Sequence, residues 1–352
     1  MTNMQKFDSI SHFIQSGDFE YRIFDMGRKV TLIDNQDFED MENQKQPYPY
    51  PFQQKAWLAL LLWEKAGPEE SVIWFLQFPI DELGFIKQSS RDVFLIDLLE
   101  QTGKNIQAKQ KGRQVLDELK ESPFAFKPVP FRLAAFHALA TCELGQPASQ
   151  YYQHAHDYLT GGSGFEQWQF LGLQGIADVV ARLGQDDNKA LLEKALGKMP
   201  ETVLESFSQM LENITIDKKL FDVLNDRLKC ELLKKMPNVL LVSALLRGVS
   251  GADMALRYDV YNKVLMSSIL GVEIEVLVAI SGRSWESLRE ASLLEVFINR
   301  LAEHEQVTFN AVLTDLLMIP GMREPIFNVV RKPERSSEVS QRLDGLMKIL
   351  SS

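Results

Sequence analysis

The sequence predicts a mainly α-helical protein, an α-solenoid of helix-pair repeats with a period of about 36 residues, preceded by a small α+β N-terminal domain. Three observations carry that expectation. A Lys-Met-Pro stretch occurs twice, six helix restarts are almost evenly spaced, and the first hundred residues alternate with a period of two.

The duplicated stretch reads GKMPETVLESFSQ from Gly197 and KKMPNVLLVSALL from Lys234. Pro suits the first turn of a helix, where its missing N–H has no partner to lose, and Lys complements the dipole at a preceding helix end. Lys-Met-Pro therefore reads as a stop and restart. After Pro200, Val203, Leu204, Phe207, Met210, Leu211 and Ile214 fall on one helical stripe. After Pro237 the chain is apolar nearly all round, as a helix covered on several sides is.

Similar restarts begin at Val129, Ser163, Val272 and Val307; with Met199 and Met236 the intervals are 34, 36, 37, 36 and 35 residues. Second helices are expected between them in YYQHAHDYL, NKALLEKAL, DKKLFDVLNDRLKCELL, ADMALRYDVYNKVLMSSIL and SWESLREASLLEVFINRLAEH. Gly145, Gly184, Gly251 and Gly282 fall in the connections, where a helix end favours a left-handed residue. A pair of helices this short cannot bury its apolar face alone, so it must stack on its neighbours.

WQFLG at Trp168 matches the W-x2-L-G opening of a tetratricopeptide repeat, but Gly175 stands where that repeat has Tyr. The Pro-led first helices resemble HEAT-type repeats instead. That resemblance covers about residues 129–330 and implies an architecture and no catalytic residue. The array is assigned to 126–352 and the N-terminal domain, with two β-hairpins, to 1–125.

In that domain, Phe19 to Ile23 and Lys29 to Ile33 read as strands joined by a Gly-containing turn, a hairpin. A second strand pair is expected in Ser71 to Phe78 and Gly84 to Lys87. Between them QKAWLALLLWEKAG reads as an apolar helix, with Trp57 and Trp63 packing under the sheet, and Arg91 to Thr102 as another helix. The linker QPYPYPF, residues 46–52, is too rich in Pro for helix. It reads as a stiff connector whose tyrosines cover the sheet, with an exposed docking strip as the alternative. Tyr48 and Tyr50, with Trp168, are the candidate partner-binding residues, because buried aromatics dominate interface energetics.

Composition limits the functional classes. Of 352 residues, 45% are hydrophobic and 24% charged, which suits a folded core. Net charge is −10, with nine Lys and Arg against seventeen Asp and Glu in the first hundred residues, so nucleic-acid binding is not expected. The strongest opposing feature is the acid-free run with Lys104, Lys109, Lys111 and Arg113, which reads as a solvated surface. Cys142 and Cys230 are isolated, without a disulfide framework or a CxxC pair, and no secretory pattern opens the chain; the expectation is cytoplasmic. No apolar run approaches the length of a membrane span.

No motif brings chemistry. His154 and His156 are two apart, on different helix faces, and His304-Glu305 lacks the second His of a zinc protease. Gly161-Gly-Ser-Gly-Phe ends in Phe165 where a nucleophile elbow has Gly. Asp34, Asp37, Glu39, Asp40 and Glu42 lack the Gly and spacing of a calcium loop. No metal, cofactor or catalytic residue is assigned. The layout of the chain, with Leu116-Asp117-Glu118 in QVLDELKESPF, resembles an uncharacterised bacterial family of unknown function, and this resemblance implies no activity. The expected function is a non-enzymatic scaffold binding a protein partner. An enzymatic or small-ligand site where the N-terminal domain meets the first repeats is the alternative.

Overall fold

The computed structural model describes residues 7–17, 19–67, 71–105 and 122–350. It is mainly helical, with sixteen α-helices among the described residues and one small antiparallel sheet. The chain divides into two compact units, Met1–Arg132 with Met318–Pro320, and Leu133–Leu317 with Gly321–Ser352.

In the first unit the strands β1 (Phe19–Asp25), β2 (Thr31–Ile33), β3 (Lys55–Glu64) and β4 (Ser71–Pro79) form a sheet in the order β2-β1-β3-β4. The β1–β2 hairpin forms as expected, with Ile23 opposite Ile33. The expected helix over QKAWLALLLWEKAG does not form; that segment is β3, the central strand. It pairs with β1 through Ile23 and Leu60, and with β4 through Leu60 and Trp74. A central strand covered on both faces is apolar without alternation, and a short apolar run of that kind has no period to separate it from a buried helix. Trp57 and Trp63 therefore belong to the sheet. The expected pairing of Ser71–Phe78 with Gly84–Lys87 shrinks to one isolated bridge between Ile80 and Ile86, because β3 occupies that edge of β4.

One face of the sheet carries Tyr21, Ile23, Leu58, Leu60, Trp74 and Leu76 into a core shared with helices α1 (Ile10–Gln15), α2 (Asn35–Glu42) and α3 (Gln88–Asn105). The acidic run is α2, started by the Asp34 carboxylate accepting from Gln36 N at 2.8 Å. Glu42, at its end, is buried and accepts from the N–H groups of Ile10 and Ser11 at 2.9 Å each. Burial pushes its carboxyl above the ordinary range.

A two-residue loop, Gln53 and Gln54, leads into β3 with φ of 50° and 59°. Phe52 and Lys55 exchange backbone hydrogen bonds of 3.1 Å across it. Two left-handed residues in such a loop suit Asn-Gly, and each non-Gly residue held there costs about 1–2 kcal/mol. Gln54 is exposed and its carbonyl bonds Ile80 N regardless of side chain. Gln54→Gly is therefore expected to raise unfolding stability by about 1 kcal/mol in urea titration; an unchanged or lower midpoint would mean that the Gln54 side chain itself holds the loop.

Among the described residues the second unit contains thirteen α-helices, beginning near its boundary with α4 (Pro130–Glu143) and continuing with α5 (Tyr152–Thr160), α6 (Leu173–Ala181), α7 (Asn188–Leu196), α8 (Glu201–Leu211) and α9 (Lys218–Leu232). Beyond these come α10 (Val239–Gly248), α11 (Met254–Met266), α12 (Ile274–Arg283), α13 (Ala291–Ala302), α14 (Gln306–Leu317), α15 (Arg323–Val330) and α16 (Ser337–Leu350). Local chemistry explains the starts. Asp217, Asn238 and Asp253 cap α9, α10 and α11 by accepting from Leu220, Leu241 and Ala255 N–H groups.

Both Lys-Met-Pro copies lie between helices, after α7 and after α9, but their methionines differ: Met199 is buried and Met236 is 89% exposed. Even-numbered helices pack in sequence, α6 on α8, α8 on α10, α10 on α12 and α12 on α14. Among the odd-numbered ones α5 meets α7, α7 meets α9, α11 meets α13 and α13 meets α15. Glu212, at the end of α8, is 4% exposed and ion-pairs with Arg247 of α10 at 2.5 Å and Arg283 of α12 at 3.0 Å.

The glycines divide by cause. Gly145 has φ +64°, as a left-handed helix end requires. Gly184, Gly251 and Gly282 do not, so the sequence expectation is corrected for them. Gly251 is needed for close approach to the Ile214 backbone, and Gly282 lies inside α12.

Candidate functional site

The three candidate partner residues occupy different settings. Tyr48 is fully buried in the first unit, and its hydroxyl donates to Asp25 Oδ1 at 2.5 Å. The same carboxylate accepts from Gly27 N at 3.0 Å, Arg28 N at 3.0 Å and Lys29 N at 3.2 Å, and so shapes the β1–β2 loop. Burial holds the Asp25 carboxyl above its ordinary value, against the Tyr48 hydroxyl, the loop N–H groups and the Arg132 charge, which favour the anion. Burial likewise raises the Tyr48 hydroxyl, and the neighbouring Asp25 adds to it. Tyr50 is half-buried with its ring edge-on to Tyr48 at 6.2 Å. The linker tyrosines thus pack on the core, and Tyr48 presents no surface.

Trp168 is half-buried in a short 3-10 turn, Trp168–Phe170, between α5 and α6, with Phe170 77% exposed beside it. Gly161 (φ +72°) and Gly164 (φ +80°) shape this connection. The Tyr158 hydroxyl donates to Phe165 O at 2.8 Å, and burial, with Glu166 nearby, raises its pKa to about 12. At Gly172 an added Cβ would lie 3.6 Å from the Tyr151 ring, so the half-exposed Tyr151 stands against the end of this connection.

Next to Tyr151 opens a cleft of about 380 Å³, lined by Gln146, Ser149, Gln150, Tyr152, Gln153, Arg182, Gln185 and Asp186 among others. Arg182, at the end of α6, lines it and forms a buried ion pair with Asp178 one helical turn earlier, 3.2 Å between Nη1 and Oδ1. Arg182 Nη2 also donates to Thr141 Oγ1 at 3.0 Å and Gln146 O at 3.3 Å, and Asp178 Oδ2 accepts from Ser149 N at 3.1 Å. The fully buried Asn188 donates to Arg182 O and to the Tyr152 hydroxyl, both at 2.9 Å. That hydroxyl in turn donates to Asp186 Oδ2 at 3.1 Å. Burial raises the Tyr152 hydroxyl above its ordinary value.

A family model described as "Protein of unknown function (DUF3549)" matches residues 5–347. The chain belongs to that family. No curated protein and no solved structure matches it.

In this DUF3549 chain the cleft walls carry hydrogen-bonding amide, hydroxyl and carboxylate side chains. The Cys142 thiol, on α4, is pushed up by burial and contacts Ala181 O at 3.5 Å, the opposite of an activated nucleophile. His156 places Nε2 2.9 Å from Asp187, which that contact holds below the ordinary carboxylate range. Among the described residues no group of His, Cys, Asp or Glu is placed to hold a metal ion, and no helix is long and apolar enough to cross a membrane. Lys109, Lys111, Arg113 and Leu116-Asp117-Glu118 lie outside the described residues, as does the Lys104 side chain.

Sequence reasoning passed over Asp178, Arg182 and Asn188. The i, i+4 spacing of Asp178 and Arg182 was visible, but surface pairs at that spacing are common. Only burial distinguishes this one.

Proposed function

We propose that this chain is a non-enzymatic interaction protein whose second unit is a helical-repeat array offering its surface to a protein partner. The coincidence of two periods supports this reading. Side-chain hydrogen bonds join Asn188 to Tyr152, Asn238 to Glu201, Tyr258 to Ser292 and Ser336 to Asn299, partners 34–37 residues apart in the chain. The restarts in the sequence are separated by the same 34–37 residues. With alternate helices in contact along most of the unit, such a unit grows by stacking and repeats equivalent positions along its surface. The exposed Leu233, Met236 and Leu240, around the second Lys-Met-Pro, are large apolar side chains of the kind that binding surfaces use. The two free cysteines suit a reducing compartment, and the cytoplasm is the proposed location.

Capture of the tagged full-length chain from a lysate of its source cells, with and without nuclease, tests this. A near-stoichiometric protein that survives nuclease and cross-links to residues 133–317 is expected. Recovery of the chain alone, or of partners that vanish with nuclease, defeats the reading.

A further inference from the structure

The cleft between the α4–α5 and α6–α7 connections has a more specific character than the rest of the helical unit, and its chemistry limits what enters it. Resting on the interaction-protein reading above, we infer that it binds an extended segment of a partner protein that carries Lys or Arg, holding the segment's backbone amides with glutamine side chains and its cation with Asp186.

The polar groups are the first ground. Gln150 and Gln185 are exposed on the wall, and their amides hydrogen-bond nothing among the described residues. Arg182 is only 5% exposed, yet it lines the cleft. Its two terminal nitrogens are engaged with Asp178, Thr141 and Gln146, while its Nε–H has no hydrogen bond among the described residues. A donor open to the cleft can be met by an incoming carbonyl oxygen. Carboxamides donate and accept at once, which matches the alternating C=O and N–H of an extended backbone.

The charge balance is the second ground. Arg182 is neutralised by Asp178, Lys189 pairs with Asp217, and His156 faces Asp187. Among the described residues the Asp186 carboxylate has only the neutral Tyr152 hydroxyl as partner, and Asp157, 64% exposed, accepts from Gln153 of the cleft wall at 2.8 Å. The rim is left negative, so it repels an acidic segment and attracts a basic one. A small apolar molecule fits poorly, since such ligands need mainly apolar walls. Tyr151 and Phe170, 50% and 77% exposed, extend the surface beside the cleft with aromatic area for the segment's side chains.

The test uses the full-length chain and a phage-displayed library of random linear dodecapeptides, with selected peptides resynthesised and titrated by fluorescence anisotropy. Asp186 has φ +48°, a conformation that Asn tolerates, so Asp186→Asn removes the charge and keeps the fold. Gln150→Ala and Gln185→Ala remove only exposed amides. Selected peptides are expected to be rich in Lys and Arg and to bind the double glutamine variant about tenfold more weakly. Asp186→Asn is expected to weaken binding about threefold at low salt, with the difference fading at high salt. Peptides without basic enrichment, affinities unchanged in the glutamine variants, or no selected peptide at all would each overturn the inference. If a partner is still captured from lysate in those cases, the interaction-protein reading survives and only the cleft is excluded; if none is captured, both fall.

Discussion

Replacing Asp25 with Ala is expected to lower the stability of the first unit by about 3–5 kcal/mol, the range for removing one partner from a buried, charged network. The substitution would strand the Gly27, Arg28 and Lys29 N–H groups and the Tyr48 hydroxyl, at a site where Asp25, Arg28 and Tyr48 have no exposure. Tyr48→Phe removes a single hydrogen bond to the same carboxyl and should cost about 1.5–3 kcal/mol. The two losses should not add, because both variants lack the same bond. Hydrogen exchange at the Ile23 and Leu60 amides, in the paired strands β1 and β3, reports this unit within the full chain. Exchange as slow as in the unsubstituted protein would mean that Asp25 does not organise the loop.

The same residue carries a pH dependence. Burial raises the folded-state pKa of Asp25 above the ordinary value of 3.8, and that of Glu42 above 4.5. The folded state therefore holds these protons more tightly than the unfolded chain. Their contribution is fully present below the ordinary values and is lost as pH rises through the raised ones. The stability difference between the unsubstituted protein and Asp25→Ala should thus shrink as pH rises from about 4. A difference that grows with pH would place the folded carboxyl below its ordinary value.

Gly251→Ala is expected to destabilise the second unit by about 3 kcal/mol, at the upper end of the usual overpacking range. An added Cβ would overlap Ile214 O and lie 3.0 Å from Ile214 C, where neither atom can swing aside as a side chain does. Ile216 N also donates to Gly251 O at 3.2 Å, so separating the strands of chain breaks a hydrogen bond. Gly282→Ala is the matched control. It lies within α12, its added Cβ meets nothing within 4 Å, and helix propensity should stabilise it by about 1 kcal/mol. Thermal unfolding followed by far-UV circular dichroism should move the two variants in opposite directions. A Gly251→Ala midpoint equal to that of the unsubstituted protein would exclude the close approach.

These glycines show how far the sequence could be read. All four sat in connections by pattern, and only Gly145 has the left-handed backbone that the pattern suggests. Whether a glycine serves a turn or a tight crossing depends on what lies opposite, and Ile214 is far from Gly251 in the chain. Of the candidate partner residues, Tyr48 and Tyr50 sit in a proline-rich linker that reads as a stiff connector with its tyrosines covering the sheet, and both pack on the core. Asp25, 23 residues away, draws Tyr48 inward.

The sequence by itself determined several of the helix starts in the second unit, though not that α6 begins only at Leu173 or that Gly282 lies inside α12. Caps such as Asp217 and Asn238, the prolines after Met199 and Met236, and the apolar stripe from Val203 to Ile214 act within a turn or two of themselves, so they can be read in place. Only the tertiary structure decided that Lys55–Glu64 is a strand, that Asp25 is buried under Tyr48, and that Arg182 lines a cleft. Each of these depends on partners brought from elsewhere in the chain: β1 and β4 for the apolar run, the linker for Asp25, and Thr141 and Gln146 for Arg182. Burial and pairing over such separations are collective outcomes of packing, and no local propensity encodes them.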